Sequence, residues 1–255
     1  MPGLSAALIC RNEEKNLPAW LESVSCFADE VVAVDSGSTD NTIALLKNAG
    51  VKVGSRDWTG YADQRNRALD MCTGDWIVFL DADELVDPEL ARALNQLKKD
   101  KTNRYAGYEL AFKVFFFGRF LRHGGFFPEH HLRLFQKGSG RWVKRQVHER
   151  LEVSGKVGRL AGYVEHYSYS TVAEYISRMQ TYSEQAARQM HLSGKKTSPL
   201  DAWFHGFWSF FNRYLLRAGF LDGFQGYLAA RMESLYTLTK YTRLWEMNKG
   251  RAKKA

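Results

Sequence analysis

Apolar residues fall in short unbroken runs through the first hundred positions, and those runs alternate with stretches of helical spacing. Leu4–Cys10, Val31–Val34 and Trp76–Leu80 read as buried strands, with Val51–Gly54 as a fourth. Helices are predicted between them over Leu17–Ser25, Thr42–Ala49 and Ala62–Cys72. Strand–helix alternation of this kind predicts an α/β fold, a mostly parallel sheet flanked by helices. From Tyr105 to Val164 the texture becomes β-rich, over Tyr105–Lys113, Phe115–Leu121, His131–Gln136 and Lys156–Val164. Gly124-Gly125 and Gly138-Ser139-Gly140 break these runs as turns do. After Ser170 the spacing is helical: Val172, Tyr175, Ile176, Met179, Ser183, Ala186 and Met190 share one face. A polar break at Ser193–Pro199 leads into a final aromatic-rich helical region. The pattern divides the chain into an α/β domain over 1–170 and a helical region over 171–255.

In parallel sheets ligands bind beyond the carboxyl ends of the strands, so polar clusters there carry the chemistry. The first strand ends in Arg11-Asn12-Glu13-Glu14 and the second in Asp35-Ser36-Gly37-Ser38-Thr39-Asp40. The Trp76–Leu80 strand ends in Asp81-Ala82-Asp83-Glu84. Two carboxylates closely spaced after a strand suit Mg²⁺ or Mn²⁺, which bind through one or two carboxylates plus substrate phosphates. An Asp-x-Asp alone is a common solvated loop; three polar strand ends in one order are a site. Asp35 opens its loop and is expected to be free to face a ligand, while Gly37 makes a turn and Thr39 or Asp40 caps the next helix.

Composition adds compartment and partners. The 255 residues are 45% hydrophobic, enough for one substantial core and an appendage. The formal charge of +8 favours anionic partners: nucleic acid, an anionic membrane or a phosphorylated substrate. Cys10, Cys26 and Cys72 have no metal spacing and read as packed thiols in a reducing, cytoplasmic compartment. The apolar start Leu4–Cys10 runs directly into charge, unlike a signal peptide. The longest stretch free of Asp, Glu, Lys and Arg, Ala202–Asn212, is far short of the roughly 20 residues of a membrane span.

The three motifs, from Ala6 to Glu14, Val34 to Thr42 and Gly74 to Glu84, resemble in order and spacing family 2 of the inverting glycosyltransferases. That resemblance implies the nucleotide-sugar-binding GT-A fold and a donor site. It implies that Asp35 contacts the nucleotide base, uracil, and that Asp81 and Asp83 serve ribose and a metal-bound diphosphate. Asn12, Glu13, Glu14 and Ser36 join the donor-binding candidates. So do Arg65 and Asn66, in Gln64-Arg65-Asn66-Arg67-Ala68-Leu69, where the family places a donor-binding stretch. Arg65 and Arg67 read equally as solvated helix charges. His166 resembles a histidine that some GT-A enzymes add to the metal, although a lone histidine is more often structural.

An inverting transfer also needs a base for the acceptor hydroxyl. The family's usual acid pair is missing from the second half of the domain; Glu149 in Val147-His148-Glu149 is the candidate, with His148 its competitor. His130-His131 is a further acceptor-facing possibility.

Aromatics crowd the region from Trp203 to Trp245, with arginine and lysine interleaved. That composition suits both a helical appendage packed on a catalytic domain and the interface of an anionic membrane. Tyr214–Gly223, with Val147-His148-Glu149 and His166–Tyr169, is similar to bacterial glycosyltransferases of lipopolysaccharide inner-core assembly. This implies glucose transfer from a UDP-sugar to a lipid-linked saccharide at the inner face of the cytoplasmic membrane. Exopolysaccharide or protein acceptors stay open. A nucleotidyltransferase would show a basic glycine-rich loop where Arg11-Asn12-Glu13-Glu14 stands. A non-catalytic membrane-binding module need not keep the acids, and scattered basic residues without a reader motif argue against nucleic acid.

Overall fold

A computed structural model describes residues 3–143, 150–169 and 171–252. The chain divides into two compact units, Met1–Phe112 with Glu129–His166, and Lys113–Pro128 with Tyr167–Ala255.

The first unit opens with β1 (Leu4–Cys10), α1 (Leu17–Ser25), β2 (Glu30–Asp35), α2 (Thr42–Asn48), β3 (Lys52–Ser55), α3 (Tyr61–Met71) and β4 (Trp76–Phe79). These match the elements read from the sequence to within a residue or two. Along the chain then come β5 (Glu84–Val86), α4 (Pro88–Leu97), β6 (Gly107–Phe116), β7 (Arg119–Phe120), β8 (Glu129–Gln136), β9 (Gly140–Val143), β10 (Arg150–Val153) and β11 (Val157–Tyr169), with β7 and the last residues of β6 and β11 in the second unit. The sheet runs β3-β2-β1-β4-β8-β6-β11-β5, with β7 paired to the end of β6 and β9–β10 forming a separate ribbon. Pairings among β3, β2, β1 and β4 are parallel; β8 joins β4 and β6 antiparallel, and β5 joins β11 antiparallel.

β1 lies between two parallel neighbours and is covered on both faces, which is why it reads as a continuous apolar run. Leu4, Ala6 and Leu8 pack with Leu17, Trp20 and Val24 of α1 on one side. Ala7 joins Val32, Val34, Ile77, Phe79, Phe135 and Trp142 on the other. Cys10 and Cys72 are buried as expected, but Cys26 is exposed, because it follows the last turn of α1 rather than facing the core.

Helix α4 has no counterpart among the elements expected from the sequence. Asp87 caps it, Oδ1 accepting from the Leu90 amide at 2.8 Å, and Pro88 supplies the first helical residue. Gly162 of β11 lies against this start, where a Cβ would stand 2.1 Å from the Leu90 nitrogen at φ +88°. The neighbouring Tyr163 amide donates to Asp87 Oδ1 at 3.1 Å. These contacts fix β11 beside β5, with His166 opposite Glu84 in the register.

In the second unit, β6 turns through Phe117 and Gly118, both at positive φ, into β7, so that the two strands expected here are one long strand and a short return. The helices are α5 (Val172–Leu192), α6 (Pro199–Phe211) and α7 (Gly223–Ala252). One π-helical turn, Asn212–Leu216, and one 3-10 turn, Gly219–Asp222, join α6 to α7. On α5 the buried stripe is Tyr175, Met179, Ser183 and Ala187. Val172 and Ile176, expected on that face, are exposed, because burial follows a narrower four-residue spacing.

Candidate active site

The chain leaves β1 toward β2 and β3 and returns to β4 on the opposite side of β1. Loops from the strands part at such a reversal and leave a crevice beyond their carboxyl ends. At this reversal stand the residues after β1, β2 and β4.

The first two loops are bound to each other. The Asn12 amide donates to Ser38 Oγ at 2.8 Å, and Asn12 Oδ1 accepts from the Thr39 amide at 2.8 Å. Asn12 has a φ of 57°, a conformation asparagine tolerates better than most residues. The Glu13 amide donates to Thr42 Oγ1 at 2.7 Å, and Glu14 Oε2 accepts from the Asn41 amide at 3.0 Å and its side chain at 2.9 Å. Asp35 is 1% exposed. Its carboxylate accepts from the amides of Gly37 (2.8 Å) and Ser38 (3.0 Å) and from the Ser38 hydroxyl. The freedom expected of Asp35 is therefore absent: it closes its own turn, and Ser36 beside it is buried.

At the end of β4 the acids diverge. The Asp81 amide donates to Glu84 Oε2 at 2.9 Å and its carbonyl accepts from the Glu84 amide at 3.0 Å, a closed turn. Arg65 of α3 donates to Asp81 Oδ1 at 3.0 Å. Arg133 of β8 reaches Asp81 Oδ2 at 3.3 Å and Glu84 Oε1 at 2.8 Å. Burial alone would raise the Asp81 pKa, but Arg133 and Arg65 hold the carboxyl well below its usual range. Burial and the Asp81 charge push Glu84 upward, with Arg133 opposing. Arg65 also lies over the Trp142 ring, 4.5 Å from its centroid. It is thus a buried site residue, whereas Arg67 is exposed.

Asp83 faces His166. Asp83 Oδ2 and His166 Nε2 are 3.5 Å apart. Burial lowers the His166 pKa, yet the hydrogen bond and charge of Asp83, with Glu84 and Asp81, raise it overall. Neighbouring ligands on an octahedral ion with bonds of about 2.1 Å stand about 3 Å apart, so this carboxylate and imidazole fit one metal. No group of three His, Cys, Asp or Glu among the described residues is arranged to hold an ion. A metal here would complete its shell with substrate oxygens and water.

Asn66, a donor-binding candidate, is hydrogen-bonded to Trp142. Its Nδ2 donates to the Trp142 carbonyl at 2.8 Å and its Oδ1 accepts from the Trp142 amide at 3.0 Å. Both ends of the amide are occupied in tying α3 to β9, because an Asn side chain imitates a strand backbone. His131 lies 3.4 Å from Glu129 and edge-on to Phe112. Glu149 and His148 lie outside the described residues.

Sequence reasoning missed Arg133 and gave Glu84 no role. The available signal is one arginine set between Leu132 and the Leu134-Phe135 pair.

The family model for glycosyl transferase family 2 matches residues 5–152. LpsC of Rhizobium meliloti, a lipopolysaccharide core biosynthesis glycosyltransferase, is 31% identical over 255 residues, covering 95% of this chain and 92% of LpsC. The uncharacterized glycosyltransferase RT0209 of Rickettsia typhi is 27% identical, covering 97% of this chain and 88% of that one. Among solved structures, the mannosyltransferase PcManGT from Pyrobaculum calidifontis, in complex with GDP-Man and Mn²⁺, aligns with a TM-score of 0.56 at 14% identity. That alignment covers 95% of this chain and 87% of that one, and supports the GT-A fold alone. By the match of residues 5–152 and its likeness to LpsC over nearly its whole length, the chain belongs to glycosyltransferase family 2.

Proposed function

We propose that the chain is an inverting, metal-dependent hexosyltransferase, moving glucose from a UDP-sugar to a hydroxyl of a lipid-linked envelope saccharide such as the lipopolysaccharide inner core. Residues 1–170 form its catalytic domain and 171–255 a helical appendage, at the inner face of the cytoplasmic membrane. The observation that carries the reading is the Asp83–His166 pair, 3.5 Å apart, beside an Asp81 bracketed by two arginines at the reversal of strand order. The name of LpsC supports the envelope acceptor.

Asp83 and His166 would hold Mg²⁺ or Mn²⁺, and the bound ion would neutralise charge on the departing diphosphate. Arg65 and Arg133 keep Asp81 ionised and its two oxygens fixed, so the ribose meets a preset acceptor. Asp35 shapes the loop that receives the base, and Asn12, Glu13 and Glu14 hold that loop against the end of β1. Asn66 acts at one remove, by fixing Arg65 on α3 relative to β9. Glu149, with His148 as the alternative, takes the proton of the attacking hydroxyl.

A thermal-shift titration with UDP, GDP and UDP-sugars, each with Mn²⁺ and with EDTA, tests this. A ligand that binds only the folded state raises its apparent stability. Stabilisation by UDP that needs the metal is expected; no response to any nucleotide from a folded sample would overturn the donor site. An exopolysaccharide or protein acceptor would leave those results unchanged and show itself in the transfer assay.

A further inference from the structure

The second unit presents an apolar face that its own packing turns outward. Helix α6 has two sides. Ala202 and Gly206 are buried on one, and a Cβ on Gly206 would stand 3.1 Å from Leu238 Cβ of α7. Ser234 of α7 donates to the Gly206 carbonyl at 2.8 Å, so the small side is the packed one. On the other side, Trp203, Phe204, Phe207 and Trp208 are 59%, 53%, 50% and 44% exposed, and Leu200 leads the same stripe. Helices of water-soluble proteins normally bury the large apolar side and expose the small polar one. Here the order is reversed.

The apolar surface continues through the connection to α7: Leu215, Leu216, Phe220, Leu221 and Phe224 are all exposed. This connection is built, not frayed. Ala218 takes a left-handed φ of 54°. A Cβ on Gly219 would stand 2.6 Å from the Arg213 carbonyl, and one on Gly226 2.0 Å from the Gly219 carbonyl. Buried Asp222 accepts from the His123 amide at 2.8 Å and meets its Nδ1 at 3.0 Å. The backbone is held in place while its leucines and phenylalanines point away from the packing.

Charge identifies the occupant. This unit carries 16 Lys and Arg against 6 Asp and Glu, while the rest of the chain carries 20 against 22, so the unit holds all of the excess positive charge. Within the connection and the start of α7, Arg217 and Arg231 are exposed; of the acids there, Asp222 is buried and Glu233 lies 3.4 Å from Arg213. A second copy docking by the same face would bring two strongly positive units together, which like-charge repulsion opposes. An aromatic face rimmed by arginine instead matches the headgroup boundary of an anionic bilayer. No helix among the described residues is long and apolar enough to cross one.

We propose that the outward face of α6 and the α6–α7 connection is a membrane-docking surface, seating Trp203, Phe204, Phe207, Leu216 and Phe220 in an anionic lipid interface while Arg217 and Arg231 meet the headgroups. This deepens the reading of a lipid-linked acceptor and rests on it for the biological membrane, but not for the surface itself.

The test is flotation of the full chain with phosphatidylglycerol-rich vesicles and with phosphatidylcholine vesicles, with tryptophan quenching by brominated lipid. Binding to the anionic vesicles with quenching is expected. Combined Phe204→Ser, Phe207→Ser and Leu216→Ser should weaken it by at least about tenfold. Arg217→Gln with Arg231→Gln should weaken it by at least about fivefold, and added salt should do the same. Equal binding to both vesicle types, no binding, or no quenching of the unaltered chain would overturn the proposal. So would a dimer in sedimentation velocity that the triple variant abolishes. UDP stabilisation in the same samples reports on the donor site separately. Lost vesicle binding with an intact UDP response counts against the surface alone, and the converse against the donor reading alone.

Discussion

Arg133 and Asp81 are 52 positions apart in sequence and 3.3 Å apart in space, and the same guanidinium closes on Glu84 at 2.8 Å. An antiparallel strand thus supplies the cation that holds two acids at the end of a parallel one. Removing it leaves Glu84, 1% exposed, as a buried carboxylate without its arginine. Arg133→Met should destabilise the fold by about 3 kcal/mol, read by denaturant unfolding. Adding Glu84→Gln should recover part of that loss, and strict additivity would show that the two do not act as a pair.

Asp83→Ala should abolish metal-dependent transfer while leaving the melting temperature of the free protein near normal. His166→Ala should raise the Mn²⁺ concentration needed for half-maximal activity by at least about tenfold. Near-normal turnover of Asp83→Ala would remove the proposed metal site.

Asn66→Leu tests a structural role against a donor contact. The change leaves the amide and carbonyl of Trp142 without their partner and should cost about 2 kcal/mol in stability. UDP affinity measured by calorimetry well below the melting temperature should fall only modestly. A large affinity loss with unchanged stability would restore the donor-contact role.

Glu149→Gln should spare UDP binding and slow transfer by about a hundredfold or more, as loss of a general base does. His148→Ala is the companion variant. Full activity of Glu149→Gln with loss in His148→Ala would move the base to the histidine.

Thiol labelling checks the core around β1. Burial, with the charges of Asp35 and Glu13, pushes the Cys10 thiol up to about 12, and burial pushes Cys72 up to about 12 as well. Alkylation needs the thiolate, which both groups populate only as pH rises toward those values. At pH 8 the folded protein should label at exposed Cys26 alone, and in denaturant at all three. Rapid labelling of Cys10 in the native state would contradict the packing of Asp35 beside it.

The parallel half of the fold was legible because each signal is local. Leu4–Cys10 and Leu17–Ser25 appear in the structure with the boundaries that apolar runs and helical spacing mark. The α4 cap, Asp87 followed by Pro88, is an equally local signal, three residues beyond the Asp81–Glu84 motif. Long-range pairs left no such mark. Nothing in Asn66 or Trp142 taken singly says that an amide side chain will complete a backbone pair across 76 positions.

By itself the sequence determined the strand–helix order, the family and the acids at the strand ends, since these follow from side-chain periodicity and motif spacing along the chain. Only the tertiary structure decided what each acid does. Asp35 turned inward because two amides of its own loop could reach it. Asp81 became fixed because β8 brought Arg133 to it, and Asp83 met His166 because β11 pairs with β5. It also decided that α6 packs by Ala202 and Gly206, leaving its aromatics outside. Composition gives a side chain its appetite for water or charge; which neighbour satisfies it depends on chain segments that meet only when the sheet and helices assemble.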